Sequence, residues 1–381
     1  MNQSKEEFLE KAKEVALKGL PFALFSYPNS TDIHLIYQND DTLHTADFTE
    51  SQGFIMYPFH GGAPLLLKGE NLLTTSLPSA EKPVLSTALI PTQGDRTSYH
   101  ILFQKALKAI EEHSLEKVVL SRRIAYQGKQ KSLLTYFLDL KALYPTAFCY
   151  AFSHPKVGQW LAATPETLLK LTGDTLRTMS LAGTKPFIEG ESPLWTEKEY
   201  REQKIVTDTI TQVLQPLTTD LSIGKAHEVR AGRLWHLCTE ISAKITPNIP
   251  IQEILQRLHP TPAVCGFPTD KARHFLLENE GYPREFYAGY CGLIHLEESR
   301  SIDLFVNLRC AQLTQKEIFV YVGGGINSSS QEESEWQETE NKAQTMLRVL
   351  QRSIPPWVAV QTERQTQGVP FQAVAHWSPN S

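Results

Sequence analysis

The spacing of apolar residues changes repeatedly along this chain, and the two spacings occur in mixed blocks. Residues 20–95 carry short apolar runs bounded by turn residues, such as Phe22-Ala23-Leu24-Phe25-Ser26-Tyr27 and Gly53-Phe54-Ile55-Met56-Tyr57, the pattern of strands. Helical spacing marks residues 5–18 and 96–113, the latter with Ile101, Leu102, Ala106, Leu107 and Ile110 on one apolar face. Further strands are predicted at 117–126, around 148–153, at 160–162 leading to 166–172, and near 176–182. Helices follow at 197–216, 230–245, 250–258 and 269–279, then strands at 287–296, 302–312 and 317–323, and a last long helix at 332–352. The polar, proline-bearing tail 353–381 reads as a short strand or a loosely held end. A doubly wound fold needs strict strand–helix alternation, and this order lacks it. The class is therefore α+β with largely antiparallel sheets.

Composition narrows the partners. The formal net charge is −5, and no basic block or aromatic-basic interleaving is present, so nucleic acid is not an expected ligand. No apolar run is long enough to span a bilayer, and the polar start Met1-Asn2-Gln3-Ser4-Lys5-Glu6-Glu7 lacks the apolar core of a signal peptide. Cys149, Cys238, Cys265, Cys291 and Cys310 are scattered without a CxxC pair, as expected for reduced core thiols of a cytoplasmic protein.

Two helix starts stand out. Glu199 and Glu202 precede Val206, Ile210 and Val213 at helical spacing. Glu335 and Glu338, after Gly323-Gly324-Gly325, precede Lys342, Met346 and Val349. Residues three apart share a helix face, so each pair presents two carboxylates in one direction. Acidic first turns also simply complement the helix dipole. Four carboxylates converging would instead form a hard-oxygen site suited to Mg²⁺. The glycine run is not a dinucleotide fingerprint, because Ser328 stands where the last glycine of G-x-G-x-x-G is required.

Several further segments belong with these. Lys117 opens the apolar run Val118-Val119-Leu120, and Glu166 follows Ala163-Thr164-Pro165. Ser180-Leu181-Ala182-Gly183-Thr184 reads as a small-residue turn, and His259-Pro260-Thr261-Pro262-Ala263-Val264 as a stiff loop. Phe286-Tyr287-Ala288-Gly289 and Asn307-Leu308-Arg309-Cys310-Ala311 read as parts of successive strands. From about residue 96 to residue 352 the set resembles, in order, the chorismate-binding enzymes: isochorismate, salicylate, anthranilate and aminodeoxychorismate synthases. The resemblance implies one large α+β unit of two face-packed, largely antiparallel sheets flanked by helices. Residues 1–95 would be its strand-rich opening and 96–352 its chorismate-binding region, with 353–381 a tail.

The resemblance also implies roles. Lys117 matches the general base and Glu166 the general acid. Glu202 and Glu338 match direct Mg²⁺ ligands, and Glu199 and Glu335 match carboxylates acting through water. Tyr287 and Arg309 match groups that hold the enolpyruvyl carboxylate. Gly323 and Gly325 match backbone donors, and Lys342 a carboxylate-contacting lysine. Gly183, Thr184, His236, Ala263 and Val264 match the pocket wall. His236, beside Leu234, Trp235 and Leu237, is expected on a helix.

The chemistry is consistent with these residue types. Adding water at C2 while hydroxide leaves C4 needs a base for the water and an acid for the leaving group. That requires a lysine and a glutamate whose pKa values are tuned in opposite directions. Ala182 stands where aminodeoxychorismate-forming members carry a nucleophilic lysine, and the His259–Val264 stretch is typical of isochorismate-forming members. The expected activity is Mg²⁺-dependent interconversion of chorismate and isochorismate by a monomer, for menaquinone or a catechol siderophore. The alternatives are a salicylate synthase with added pyruvate-lyase activity and a non-catalytic chorismate-binding subunit. Gln203 replaces a common histidine, which bears on how Glu202 is held. Cys265 and Gly324 also depart from the usual small residues.

Overall fold

The structure is a computed structural model that describes residues 4–77, 90–91, 96–232, 234–296 and 301–351. Helix α1 (Lys5–Leu17) leads into β1 (Phe22–Ser26), β2 (Asp32–Tyr37), β3 (His44–Thr45), β4 (Gly53–Tyr57), β5 (Leu65–Lys68), β6 (Leu72–Ser76) and β7 (Ile90–Pro91). Next come α2 (Arg96–Glu111), β8 (Lys117–Gln127), α3 (Leu133–Leu143), β9 (Phe148–His154), β10 (Gly158–Thr164), β11 (Thr167–Thr172) and β12 (Thr175–Pro186). Then follow α4 (Glu197–Leu214), β13 (Thr218–Ile223), β14 (His227–Ala231), β15 (Leu234–Ile245), α5 (Ile251–Leu258), β16 (Gly266–Phe267) and α6 (Thr269–Asn279). The last elements are β17 (Tyr290–Ile294), β18 (Ser301–Val306), β19 (Cys310–Leu313), β20 (Ile318–Ile326) and α7 (Glu332–Leu350).

Two ten-stranded antiparallel sheets result. One runs β16-β8-β20-β19-β10-β9-β1-β2-β6, with β7 against β8. The other runs β13-β15-β12-β11-β18-β17-β4-β5-β3, with β14 against β15. The strand-rich opening is thus woven into both sheets. Their inner faces pack through aromatic pairs. Phe148 of β9 stacks on Phe305 of β18 with centroids 4.1 Å apart, and Phe54 of β4 lies 5.5 Å from Tyr150 of β9. Each such contact adds roughly 1 kcal/mol beyond the area it buries. A second core lies between the first sheet and α1, α3 and α7. All five cysteines are buried and unpaired with one another. Among the described residues no helix is long and apolar enough to cross a membrane.

Four expectations are corrected. Residues 230–245 are not a helix: β14 and β15 occupy them, and β15 pairs with β12 from Thr175↔Lys244 to Pro186↔Leu234. Leu234, Leu237 and Ile241 satisfy helical spacing by coincidence. The pairing with β12 along the whole strand decides it, and from Thr239 onward burial alternates through Ile241 and Ala243. Helix α3 had no expected counterpart, because it is apolar almost all round, with Leu133, Leu134, Tyr136, Phe137 and Leu140 buried, so it has no wide polar face to betray its period. On α2 the inward face is Tyr99, Leu102, Phe103, Ala106 and Ile110, while Ile101 is exposed. Residues 286–289 and 307–309 lie in the turns before β17 and β19, not on strands. The tail 353–381 lies outside the described residues.

Candidate active site

Lys117 is the first residue of β8 and is buried. Its Nζ stands 2.8 Å from Glu202 Oε1, as an ion pair with no aligned hydrogen bond. Glu166 sits in the short link between β10 and β11 and is also buried. Burial raises its carboxyl to about 8, although Lys117, Lys342 and Arg309 pull the other way. Loss of hydration penalises the charged form, so this acid stays protonated through neutrality.

The expected turn at Gly183-Thr184 is a bulge within the long strand β12, with the register shifting between Ala182 and Thr184. Gly183 takes φ +72°, and a Cβ there would lie 3.2 Å from Glu199 Cβ. Both facts call for glycine. The bulge aims the Gly183 carbonyl at His236 on β15, whose Nδ1 lies 2.9 Å away. Arg309 Nη2 lies 3.4 Å from His236 Nε2. A carbonyl only accepts and a guanidinium only donates, so the proton belongs on Nδ1. Burial, then the positive charges of Arg309 and Lys342, lower the ring's pKa to about 3, which keeps it neutral. Arg309 adopts φ +49°, and its Nη1 donates to Thr345 Oγ1 at 3.2 Å.

The four carboxylates lie at the starts of α4 and α7. Glu199 completes the capping box of α4: its Oε2 accepts from the Thr196 amide at 2.8 Å and from Thr196 Oγ1 at 2.6 Å. Its Oε1 pairs with Lys185 at 2.8 Å. Burial opposes its charge, but these contacts outweigh it and lower the pKa. Burial likewise works against Glu202, yet Lys117, Lys342 and Lys198 hold its carboxyl below the ordinary value. Glu335 pairs with Lys198 at 2.7 Å, and burial with the repulsion of Glu338 raises its pKa. Glu338 pairs with Lys342 at 2.6 Å, and Lys342 Nζ also donates to the Gly323 carbonyl at 2.8 Å. Each acid is thus neutralised by its own lysine. Lys185 and Lys198 were not legible as members of the site, because only the fold brings them to their partners.

Among the described residues no three histidines, cysteines or acids stand at metal-ligand spacing as the side chains now lie. The donor set nevertheless fits a hard divalent cation. A Cβ on Gly325 would lie 2.8 Å from Glu202 Oε1, and one on Gly324 would lie 3.7 Å from Glu335 Oε2 and 3.9 Å from Glu338 Oε1. The two glycines face opposite sides of β20, and the carboxylates that meet in one pocket are Glu202 and Glu338, one from each helix. Close by, the buried hydroxyl of Tyr99 has no hydrogen-bond partner among the described residues, and Glu335 and Glu338 are among the charges that act on it.

One pocket gathers Glu166, Gly183, Thr184, Glu202, His236, Ala263, Val264, Tyr287, Arg309, Gly323, Gly325, Glu338 and Lys342. Lys117, Glu199 and Glu335 lie off its lining. Sequence reasoning missed its apolar wall of Val119, Leu181, Leu308 and Val322, positions that carry no chemical signature. The volume open to water is about 70 Å³, room for a few waters. Gln203 turns away from Glu202. Its Nε2 donates to Ser180 Oγ at 3.0 Å and Thr239 Oγ1 at 2.6 Å, tying α4 to β12 and β15.

Residues 66–351 match the family model described as Chorismate binding enzyme. The chain is 29% identical over 265 residues to isochorismate synthase DhbC of Bacillus subtilis, covering 65% of this chain and 66% of that one. It is 31% identical over 268 residues to isochorismate synthase MenF of Escherichia coli, covering 68% and 61%. The match thus spans slightly less than two thirds of these relatives' own lengths. The solved structure of the menaquinone-specific isochorismate synthase of Escherichia coli superposes with a TM-score of 0.74 at 25% identity, covering 87% of this chain and 89% of that one.

Proposed function

The chain belongs to the chorismate-binding enzyme family, and from that premise we propose that it interconverts chorismate and isochorismate with the help of Mg²⁺. The observation that carries this reading is Glu166, a buried carboxyl held protonated to about 8 in a pocket otherwise rich in cations. A protonated acid there can deliver a proton to the hydroxyl leaving C4. Lys117, ion-paired with Glu202 in this structure, is the candidate to take a proton from the water that attacks C2, a role that requires its neutral form. Water is consumed at one carbon and released at the other, so the overall change is an isomerisation. Arg309 and Tyr287 are the candidates for the enolpyruvyl carboxylate, and Lys342 for a further carboxylate contact. Ala182 lines the pocket without a nucleophile, which supports water as the attacking group.

Glu202 and Glu338 would hold the metal, with Glu199 and Glu335 behind them. Bound there, Mg²⁺ would clamp the ring carboxylate and offset its charge. Solved structures described as menaquinone-specific and as 2,3-dihydroxybenzoate-specific isochorismate synthases match at similar identity, and we propose menaquinone synthesis as the use of the product. A deletion strain tests this: loss of menaquinone supports the assignment, whereas loss of a catechol siderophore alone overturns it. The activity itself is tested by product analysis with chorismate and Mg²⁺, with and without EDTA. Isochorismate that forms only with the metal, and without pyruvate, is the expected outcome. Salicylate plus pyruvate would indicate a salicylate synthase, and chorismate binding without conversion a non-catalytic subunit.

A further inference from the structure

A second cavity lies apart from the one that holds Glu166. It has a volume of about 440 Å³ and lies between the C-terminal half of α4, the end of α5 and the start of α6. That is within the range of small-molecule sites, roughly 300–1,000 Å³. Ile210, Val213, Leu258 and Pro262 give it an apolar floor, and Arg257 and Arg273 stand at its edge.

Its chemistry favours an anion. Arg257 pairs with Glu253 and Arg273 with Asp270, each at 2.7 Å, with the acids 36% and 90% exposed. Exposed pairs like these are worth little, so a ligand carboxylate can replace either acid. The N-cap of α6 is Pro268, and no side chain caps the helix, so its first amides add positive potential. His259, on the wall, is held neutral at pH 7: burial, with Arg273 nearby, lowers its pKa to about 4.

The cavity shares two walls with the catalytic pocket and a third element lies close to both. Helix α4 carries Glu199 and Glu202 in its first turns and lines the cavity with Thr209 and Ile210. The loop after α5 presents Pro260 and Pro262 to the cavity, and Ala263 and Val264 to the catalytic pocket. Strand β16, just before α6, pairs Phe267 with Lys117 and Gly266 with Val118. A ligand here touches the elements that carry the metal-site acids of α4 and the pocket wall, and α6, which follows the strand paired with the candidate base.

We propose that this cavity is an effector site for a small amphipathic carboxylate, with an apolar body on the Leu258–Pro262 floor and its carboxylate on Arg257 and Arg273. Its coupling to the catalytic pocket rests on the chorismate-binding reading above. Its existence as a site does not.

The test uses 1-naphthoate as the probe and calorimetry on the full chain. The expected result is binding that survives Arg309→Ala and weakens at least tenfold in Arg257→Ala/Arg273→Ala. That double variant keeps wild-type turnover without the probe. Bound probe should change chorismate affinity, measured by direct binding, by at least twofold, and chorismate should change probe affinity by the same factor. Probe binding lost only in Arg309→Ala, or no binding at all, overturns the site. Binding at the arginines with unchanged chorismate affinity overturns the effector role. Chorismate that binds but is never converted refutes the catalytic reading and leaves the site standing.

Discussion

Glu166 and Lys117 work in opposite directions, and each can be tested singly. The Glu166 carboxyl is raised to about 8 by burial, so it is a competent acid below that pH and is lost as the pH rises through it. The rate should fall on the alkaline side of about 8. Glu166→Gln should lower kcat by roughly 10²–10⁴ while chorismate still binds, and its residual activity should lack the alkaline limb. A limb that persists would assign it to another group. Lys117→Met removes one side of a buried pair and leaves the Glu202 charge with only the more distant Lys342 and Lys198 to offset it, a loss of up to about 3–5 kcal/mol. Adding Glu202→Gln should restore most of that stability without restoring turnover, as read by denaturant unfolding. Glu202 has a lowered pKa. Its own contribution to stability is therefore present above the unfolded-state value and disappears as the pH falls through the folded one.

Helix α4 has to be held at one rotation for Glu199 and Glu202 to face the pocket, and Gln203 supplies part of that hold. Gln203→Leu should cost about 1–3 kcal/mol, because Ser180 and Thr239 lose a buried partner. It should raise the chorismate KM more than it lowers kcat, and the polar Gln203→His should recover most of the loss. At the end of β20, Gly325→Ala would place a methyl 2.8 Å from Glu202 Oε1 and 3.0 Å from Lys117 Cε. Circular dichroism should stay native while chorismate turnover falls at least tenfold; unchanged turnover would remove Gly325 from the site. The sequence revealed elements in proportion to how amphipathic they are. Helices α1, α4, α6 and α7 declare a period, whereas α3 is buried nearly all round and β15 mimics helical spacing. In the candidate site, the residues that could be singled out in the sequence were those whose types carry chemistry, as with Lys117, Glu166 and the four acids. Its lysine partners and the Gln203–Ser180–Thr239 tie could not be, because those contacts join α4 to α7 and to strands remote in the chain.

Across the whole molecule, the two sheets and their covering helices bring four glutamates and four lysines into one region, and their charges cancel in pairs. Protonated Glu166 and neutral His236 add no charge. Arg309 has no carboxylate partner among the described residues. With the four pairs cancelled, Arg309 leaves the region about one charge positive; a divalent cation alone would deepen that excess, and a dianion alone would turn it negative. Together they return the region to its starting charge, so each should favour the other's binding. Chorismate affinity, measured by calorimetry on a variant that cannot turn over such as Glu166→Gln, should rise at least tenfold when Mg²⁺ is present. By linkage the affinity for Mg²⁺ should rise by the same factor when chorismate is present. High salt should shrink the coupling only modestly, since the paired groups are largely buried and screening acts chiefly on exposed charges. Equal chorismate affinity with and without the metal would mean that the glutamates and lysines serve only to hold α4 and α7 on the sheets, and that the proposed metal site is not one.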